Sequence, residues 1–129
     1  MKRIIEKNEK IFIAGSKGMV GSSIKRTLLK NRFNQANKLS NLLTPSRLEL
    51  DLLDNTSVKN WFSKEKPTIV ILAAAKVGGI HANSRYPTEF LLENIKIQTN
   101  VIEAALSERV RRLLFLGSSC IYPKYAIQP

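Results

Sequence analysis

The chain has 129 residues, 43% of them hydrophobic, 24% charged and 7% aromatic, the composition of one globular domain and not of a collagen-like, disordered or disulfide-stapled chain. A domain of this length buries about two-thirds of its unfolded surface, enough for a real core, yet it is small for an enzyme that must hold both a cofactor and a large substrate. The net charge of +11 is uneven: residues 1–47 hold eleven Lys or Arg against Glu6 and Glu9, and residues 48–129 hold ten against eight acidic residues. Such asymmetry points either to a polyanionic partner (nucleic acid, a membrane surface or a phosphorylated small molecule) or to a solvated basic surface.

In chain order, Met1 to Lys10 is charged throughout and lacks the apolar stretch of a secretory signal. Ile11-Phe12-Ile13-Ala14 is a short β-branched and aromatic run that stops at Gly15, which predicts a buried strand ending in a turn. From Gly18 to about Lys30, Met19, Val20, Ile24, Leu28 and Leu29 recur at helical spacing, with Lys25, Arg26 and Lys30 on the other face. Residues 31–41 are polar and Asn-rich, a surface loop. Leu42-Leu43-Thr44 is the candidate second strand, confined to an end or edge by Pro45.

Asp54 to Ser57 offers helix N-caps ahead of Val58, Trp61 and Phe62, so a helix of about ten residues is expected to end before Pro67. Thr68 to Ala73 is the strongest strand, and the apolar run it opens, Ile69 to Ala75, is far shorter than the roughly 18 residues that span a bilayer. After the small residues to Gly79, Pro87 suits the first position of a long helix to about Glu108, whose apolar residues cover two adjoining faces. Leu113 to Leu116 reads as a further buried strand, ending at Gly117-Ser118-Ser119. Strands alternate with helices from end to end, which predicts a parallel sheet covered on both faces. A single cysteine, Cys120, and a single histidine, His81, supply neither an internal disulfide nor a metal site and fit a reducing, cytoplasmic setting.

Four constellations carry chemistry. Gly15-Ser16-Lys17-Gly18-Met19-Val20-Gly21 is a G-x-x-G-x-x-G run between strand and helix. Glycines there let the backbone turn tightly, admit a pyrophosphate and allow helix and strand to pack, while the open helix terminus receives the phosphates; a purely structural glycine turn is the alternative. The pattern predicts a Rossmann-type α/β fold: a doubly wound parallel sheet in three αβα layers, with strand order 3-2-1-4-5.

The second constellation is an absence. An NAD-binding fold places Asp or Glu about 20 residues past the glycines to accept from the ribose 2′-OH. Here no acidic residue lies between Gly21 and Glu49, whereas Lys17 sits in the glycine loop and Arg47 follows the candidate second strand. A guanidinium and an ammonium would pair with a 2′-phosphate, which predicts NADP(H) over NAD, unless Arg47 is an ordinary surface arginine.

The third is Gly117-Ser118-Ser119-Cys120-Ile121-Tyr122-Pro123, directly after a strand and so placed where ligands sit in open α/β sheets. Ser118 could hydrogen-bond a substrate oxygen, and Cys120 is either a base or an inert buried thiol. The fourth is Ala73-Ala74-Ala75-Lys76-Val77-Gly78-Gly79-Ile80-His81, whose alanines offer a flat floor for a nicotinamide ribose. Lys76 and His81 suit acid–base roles or solvated, structural ones.

These motifs coincide with a known family. From about Ile11 to Pro129 the chain resembles the N-terminal part of the GDP-L-fucose synthase family, extended short-chain dehydrogenase/reductases within the sugar epimerase and dehydratase superfamily. The resemblance runs through FIAGSKGMVGSSI, SRLELDLLD, AAAKVGGIHAN, the YPTEF-to-EAAL helix and LLFLGSSCIYPKYAIQP. It implies that Gly15 to Gly21 cradle the NADP pyrophosphate, that Arg47 meets the 2′-phosphate, that the segment to Leu52 runs under the adenosine, and that Leu116 to Ser119 line the nicotinamide end. It further implies that Ser118 hydrogen-bonds the sugar C4 oxygen and that Cys120 is the base in epimerisation at C3 and C5. The family reaction is NADPH-dependent 3,5-epimerisation and 4-reduction of GDP-4-keto-6-deoxy-D-mannose to GDP-L-fucose.

One family feature is missing. Tyr86, Tyr122 and Tyr125 are followed four residues later by Phe90, Ala126 and Pro129, so the sequence holds no Tyr-x-x-x-Lys pair. The expectation is therefore a single NADP-binding domain over residues 1–129, truncated before the substrate domain, with most of the GDP-sugar site absent and the chain inactive by itself. The alternatives are a non-catalytic NADP-binding module completed by a separate C-terminal half, or another nucleotide-sugar epimerase/dehydratase. Dimerisation through the long helix is compatible with its apolar breadth, and an uncovered last strand would favour self-association. Nucleic acid and membrane partners are not expected: there is no nucleic-acid motif, and Trp61 and Phe62 read as helix core.

Overall fold

The computed structural model describes residues 5, 9–31, 41–118, 121–123 and 125–127. The 31–41 loop falls mostly outside them, as do Ser119 and Cys120.

Strand β1 (Ile11–Ala14) lies inside a four-stranded parallel sheet with β2 (Leu42–Leu43) on one side and β3 (Ile69–Leu72) on the other; β4 (Arg112–Phe115) pairs with β3, giving the order β2-β1-β3-β4. Side chains alternate across a strand, and this divides the core in two. Phe12, Ala14, Val70 and Leu72 pack with Leu50, Val58, Phe62, Val101, Ala104 and Ala105 on one face. Ile11, Ile13, Ile69 and Ile71 meet Ile24 and Leu28 on the other. A run of four apolar residues therefore feeds both faces, as an interior parallel strand requires.

Helix α1 (Met19–Lys30) supplies Ile24 and Leu28 to its side of the sheet. The spacing also nominates Met19, Val20 and Leu29, but all three are exposed. The first turn of α1 projects past the end of β1, so Met19 and Val20 border open space and not the sheet. Helix α2 (Asn55–Glu65) starts where the sequence places it, because the Asp54 carboxylate accepts from the N–H groups of Thr56 and Ser57 at 2.9 and 3.2 Å. It stops at Lys66, in the left-handed region with φ 50°, ahead of Pro67. Val58 and Phe62 are fully buried. The Trp61 and Phe62 rings lie 4.6 and 5.6 Å from that of Phe12, so both aromatics do belong to the core side of the helix.

Between Gly79 and Pro87 lies a six-residue helix, α3 (Ile80–Arg85), which the small-residue composition there does not announce. The Asn83 side chain donates back to the carbonyls of Gly78 and Gly79 at 2.9 and 3.1 Å. Helix α4 (Pro87–Ser107) follows with proline in its first turn. It buries Asn100, Val101, Ala104 and Ala105, while Leu91, Leu92, Ile95, Ile102 and Leu106 of its second apolar face are exposed.

Two sequence expectations are corrected. The last strand is not buried: Leu113, Leu114 and Phe115 are 37%, 51% and 49% exposed, because β4 is an edge strand that no described helix covers on its outer side. The order 3-2-1-4-5 also loses its outermost strand among the described residues. The segment after β2 runs as turns, with the N–H groups of Glu49 and Leu50 both donating to the Ser46 carbonyl. At the opposite end of the sheet, buried Glu9 accepts from the Thr68 hydroxyl and pairs with Arg111, fastening the starts of β1, β3 and β4.

Candidate functional site

The chain leaves β1 for β2 on one side of the sheet, then crosses to β3 on the other, so the winding reverses between β1 and β3. Loops diverge at such a point and leave a crevice beyond the carboxyl ends of the strands. A cleft of about 760 Å³ opens there, within the range of small-molecule sites, roughly 300–1,000 Å³. Gly15 to Val20 form one wall, residues 45–47 and 50–53 another, and Ala73 to Val77 the floor, with Glu93 and Ile97 of α4 closing it.

The glycines of the first wall do separate jobs. Gly15 turns the chain at φ 79°, and a Cβ there would stand 2.7 Å from the Ala73 carbonyl oxygen. Gly21 lies outside the cleft, as the one buried residue of α1, and a Cβ on it would stand 2.2 Å from the Gly15 carbonyl oxygen. Gly18 donates to that same oxygen at 3.0 Å and caps α1 in an extended conformation with no side-chain cap. The first turn of α1 thus carries no side-chain cap, and an open helix terminus of this kind can receive an anion.

Lys17, in the loop after β1, and Arg47, in the segment after β2, both line the cleft and are exposed. Ser46, next to Arg47, begins a closed turn: its N–H donates to Glu49 Oε2 at 2.7 Å. The Glu49 carboxyl is held below the usual carboxylate range by that N–H, then by the Ser46 hydroxyl; desolvation opposes them, and the Lys17 ammonium makes the smallest contribution. Asp51 also lines the cleft, but its Oδ1 accepts from the Leu53 N–H at 3.0 Å and so is already engaged.

Spacing alone did not single out the closure by α4. Asn94 accepts from the Lys76 N–H at 2.7 Å and donates to the Lys76 carbonyl at 3.0 Å, clamping the floor segment to the helix. The Lys76 ammonium pairs with Glu93 at 2.5 Å and stands 5.5 Å from the centre of the Phe90 ring. Lys76 is accordingly a structural cation at the cleft's edge, and His81, exposed on α3, takes no part in the lining. Removing the clamp with Asn94→Ala leaves two part-buried backbone groups unpaired, so denaturant unfolding should show a loss of about 1–3 kcal/mol. A loss below about 0.3 kcal/mol would mean water replaces the amide fully.

Of the residues expected at the site, Gly15 to Val20, Arg47, Leu52 and Ala73 to Ala75 are brought together. Leu116, Gly117 and Ser118 are not among the lining residues: they follow β4, one strand further along the sheet, where the Leu116 N–H continues the ladder to the Leu72 carbonyl at 3.2 Å. Ser119 and Cys120 lie outside the described residues. Among the described residues no three His, Cys, Asp or Glu side chains gather as a metal site, and no helix is long and apolar enough to cross a membrane.

A family model described as the NAD dependent epimerase/dehydratase family matches residues 11–129. GDP-L-fucose synthase 1 of Arabidopsis thaliana is 54% identical over 96% of this chain, which covers 36% of that protein. GDP-L-fucose synthase of Escherichia coli strain K12 is 50% identical over 94% of the chain and is again covered to 36%. A solved structure of a GDP-mannoheptose C4 reductase from Campylobacter jejuni with NADP bound superposes with a TM-score of 0.86 at 38% identity, over 97% of this chain and 35% of that one. The chain therefore spans about a third of the length of the relatives it matches.

Proposed function

Since the chain belongs to the NAD dependent epimerase/dehydratase family, we propose that its 129 residues form the NADP(H)-binding portion of a GDP-L-fucose synthase. The observation that supports this reading is the cleft itself: a glycine turn with no side-chain cap on α1, with Lys17 and Arg47 both in the lining. Gly15 lets the chain turn tightly at the end of β1, Gly21 lets α1 pack against that turn, and the α1 N–H groups bind the pyrophosphate. Arg47 and Lys17 pair with the 2′-phosphate, the stretch to Leu52 lies under the adenosine, and Ala73 to Ala75 support the nicotinamide ribose. The cofactor supplies a hydride when bound.

By resemblance to the family, Leu116 to Ser119 are assigned to the nicotinamide end, Ser118 to a hydrogen bond with the sugar C4 oxygen, and Cys120 to removal of the protons at C3 and C5. A GDP-linked 4-keto sugar is the substrate of the whole family reaction. This sequence contains no Tyr-x-x-x-Lys, so these residues bind cofactor but lack a general acid for the C4 oxygen, and the chain alone does not turn the sugar over.

Fluorescence titration tests the reading. The chain should bind NADPH at least about tenfold more tightly than NADH, and Arg47→Ala should erase most of that gap while leaving NADH unchanged, as expected for a charge-assisted contact worth about 1.5–3 kcal/mol. Equal affinity for the two cofactors would refute it. Reduction of GDP-4-keto-6-deoxy-D-mannose by the chain alone would refute the part played by the missing tyrosine.

A further inference from the structure

Beside the cleft, on the turn that carries Ser46 and Arg47 but outside the lining itself, stands a carboxylate that the cofactor reading leaves unused, Glu49. We propose that Glu49 is a specificity-determining residue, an internal anion that restrains the affinity of this end of the cleft for a phosphorylated ribose. The proposal rests on the NADP(H) reading above.

Its basis is the turn at Ser46. Ser46 gives its carbonyl to the N–H groups of Glu49 and Leu50 at 3.1 and 3.0 Å and takes Glu49 Oε2 on its own N–H at 2.7 Å, so the turn is closed from both ends. Ser46, Arg47 and Lys17 all line the cleft. The carboxylate thus occupies the N–H of a lining residue and stands two residues from Arg47 on the same turn, where an N–H donor and a cation are the two kinds of group that an incoming phosphate would use. Its ionised form is the favoured one there, since the Ser46 N–H and hydroxyl and the Lys17 charge all stabilise it.

A ribose phosphate monoester carries about −1.5 to −2 at neutral pH. It must approach a full negative charge on the turn that carries Arg47, whereas an unphosphorylated ribose hydroxyl is neutral and meets no such repulsion. Both carboxylate and cations are exposed, so the effect is moderate and screened by salt. The turn has a second function that must be kept apart from the charge: it presents Arg47. Glutamine separates the two, because its amide oxygen can still accept from the Ser46 N–H while the charge is gone.

The test uses the full chain, with adenosine 2′,5′-bisphosphate and AMP as probes in calorimetric titrations of wild type and Glu49→Gln. The variant should bind the bisphosphate about three- to tenfold more tightly with AMP unchanged, and this gain should shrink toward unity in 1 M salt, where the screening length is about 3 Å. Unchanged or weakened bisphosphate binding would overturn the proposal, as would equal tightening of both probes. Failure of the cofactor reading shows separately, in the wild type: no preference for the bisphosphate over AMP would remove the reading and this proposal with it.

Discussion

Gly21→Ala should cost the chain at least about a hundredfold in NADPH affinity and about 1–3 kcal/mol or more of stability. The added methyl would stand 2.2 Å from the Gly15 carbonyl oxygen, 2.8 Å from its carbon and 3.0 Å from Ser16 Cα. All three are backbone atoms, so no side chain can rotate away. Gly15 cannot retreat either, since it is fixed at φ 79° and its own Cβ position is walled by Ala73. Relief comes only by lifting α1 off the end of β1, which misaims the N–H groups of its first turn. NADPH titration and denaturant unfolding measure the two effects. Gly79→Ala is the control: a Cβ there meets nothing within 4 Å, and the residue lies outside the cleft lining. Near-wild-type binding by Gly21→Ala would show that the glycine turn is not a phosphate cradle.

The second large effect is expected in the core. Phe62→Ala should destabilise the chain by about 3–5 kcal/mol, a large part of the roughly 5–15 kcal/mol that a domain has. Phe62 is fully buried on the face of the sheet covered by α2 and α4, and its ring meets Phe12 at 5.6 Å, 86° between planes, and Trp61 at 5.6 Å, 71° between planes. Edge-on contacts of this kind add about 0.5–1.5 kcal/mol to the burial. Trp61 is the chain's single tryptophan, so its fluorescence reports directly on the packing being removed. The thermal midpoint should fall by roughly 10–20 °C. Leu106→Ala, at an 80% exposed position of α4, should move stability by less than about 0.5 kcal/mol. A small effect at Phe62 would mean that α2 is not the cover of this face.

How much of this was legible beforehand depends on the range of the interactions involved. The Asp54 cap is a contact between residues two and three apart, and the stop at Lys66 precedes a proline, so both ends of α2 can be read locally. Spacing in α1 could count apolar residues but could not say that the first turn overhangs the sheet, which sends Met19 and Val20 to the cleft and Ile24 and Leu28 to the core. The Ser46 to Glu49 turn has the pattern of a capping box and could have been found from sequence. Nothing local marks Asn94, whose partner Lys76 lies 18 residues away.

By itself, then, the sequence determined the interior strands β1 and β3, the glycine turn between strand and helix, the capped helix α2, and the supply of cations with no acid between Gly21 and Glu49. Each of these is a matter of short-range sterics, capping or composition. Tertiary structure alone decided that Glu93 and Ile97 of α4 join Lys17, Arg47 and Ala73 to Ala75 at the cleft, that Ser118 lies outside its lining, and that β4 is an exposed edge. Burial and convergence depend on which elements become neighbours across the sheet, and the local period of hydrophobic residues carries no record of that partner.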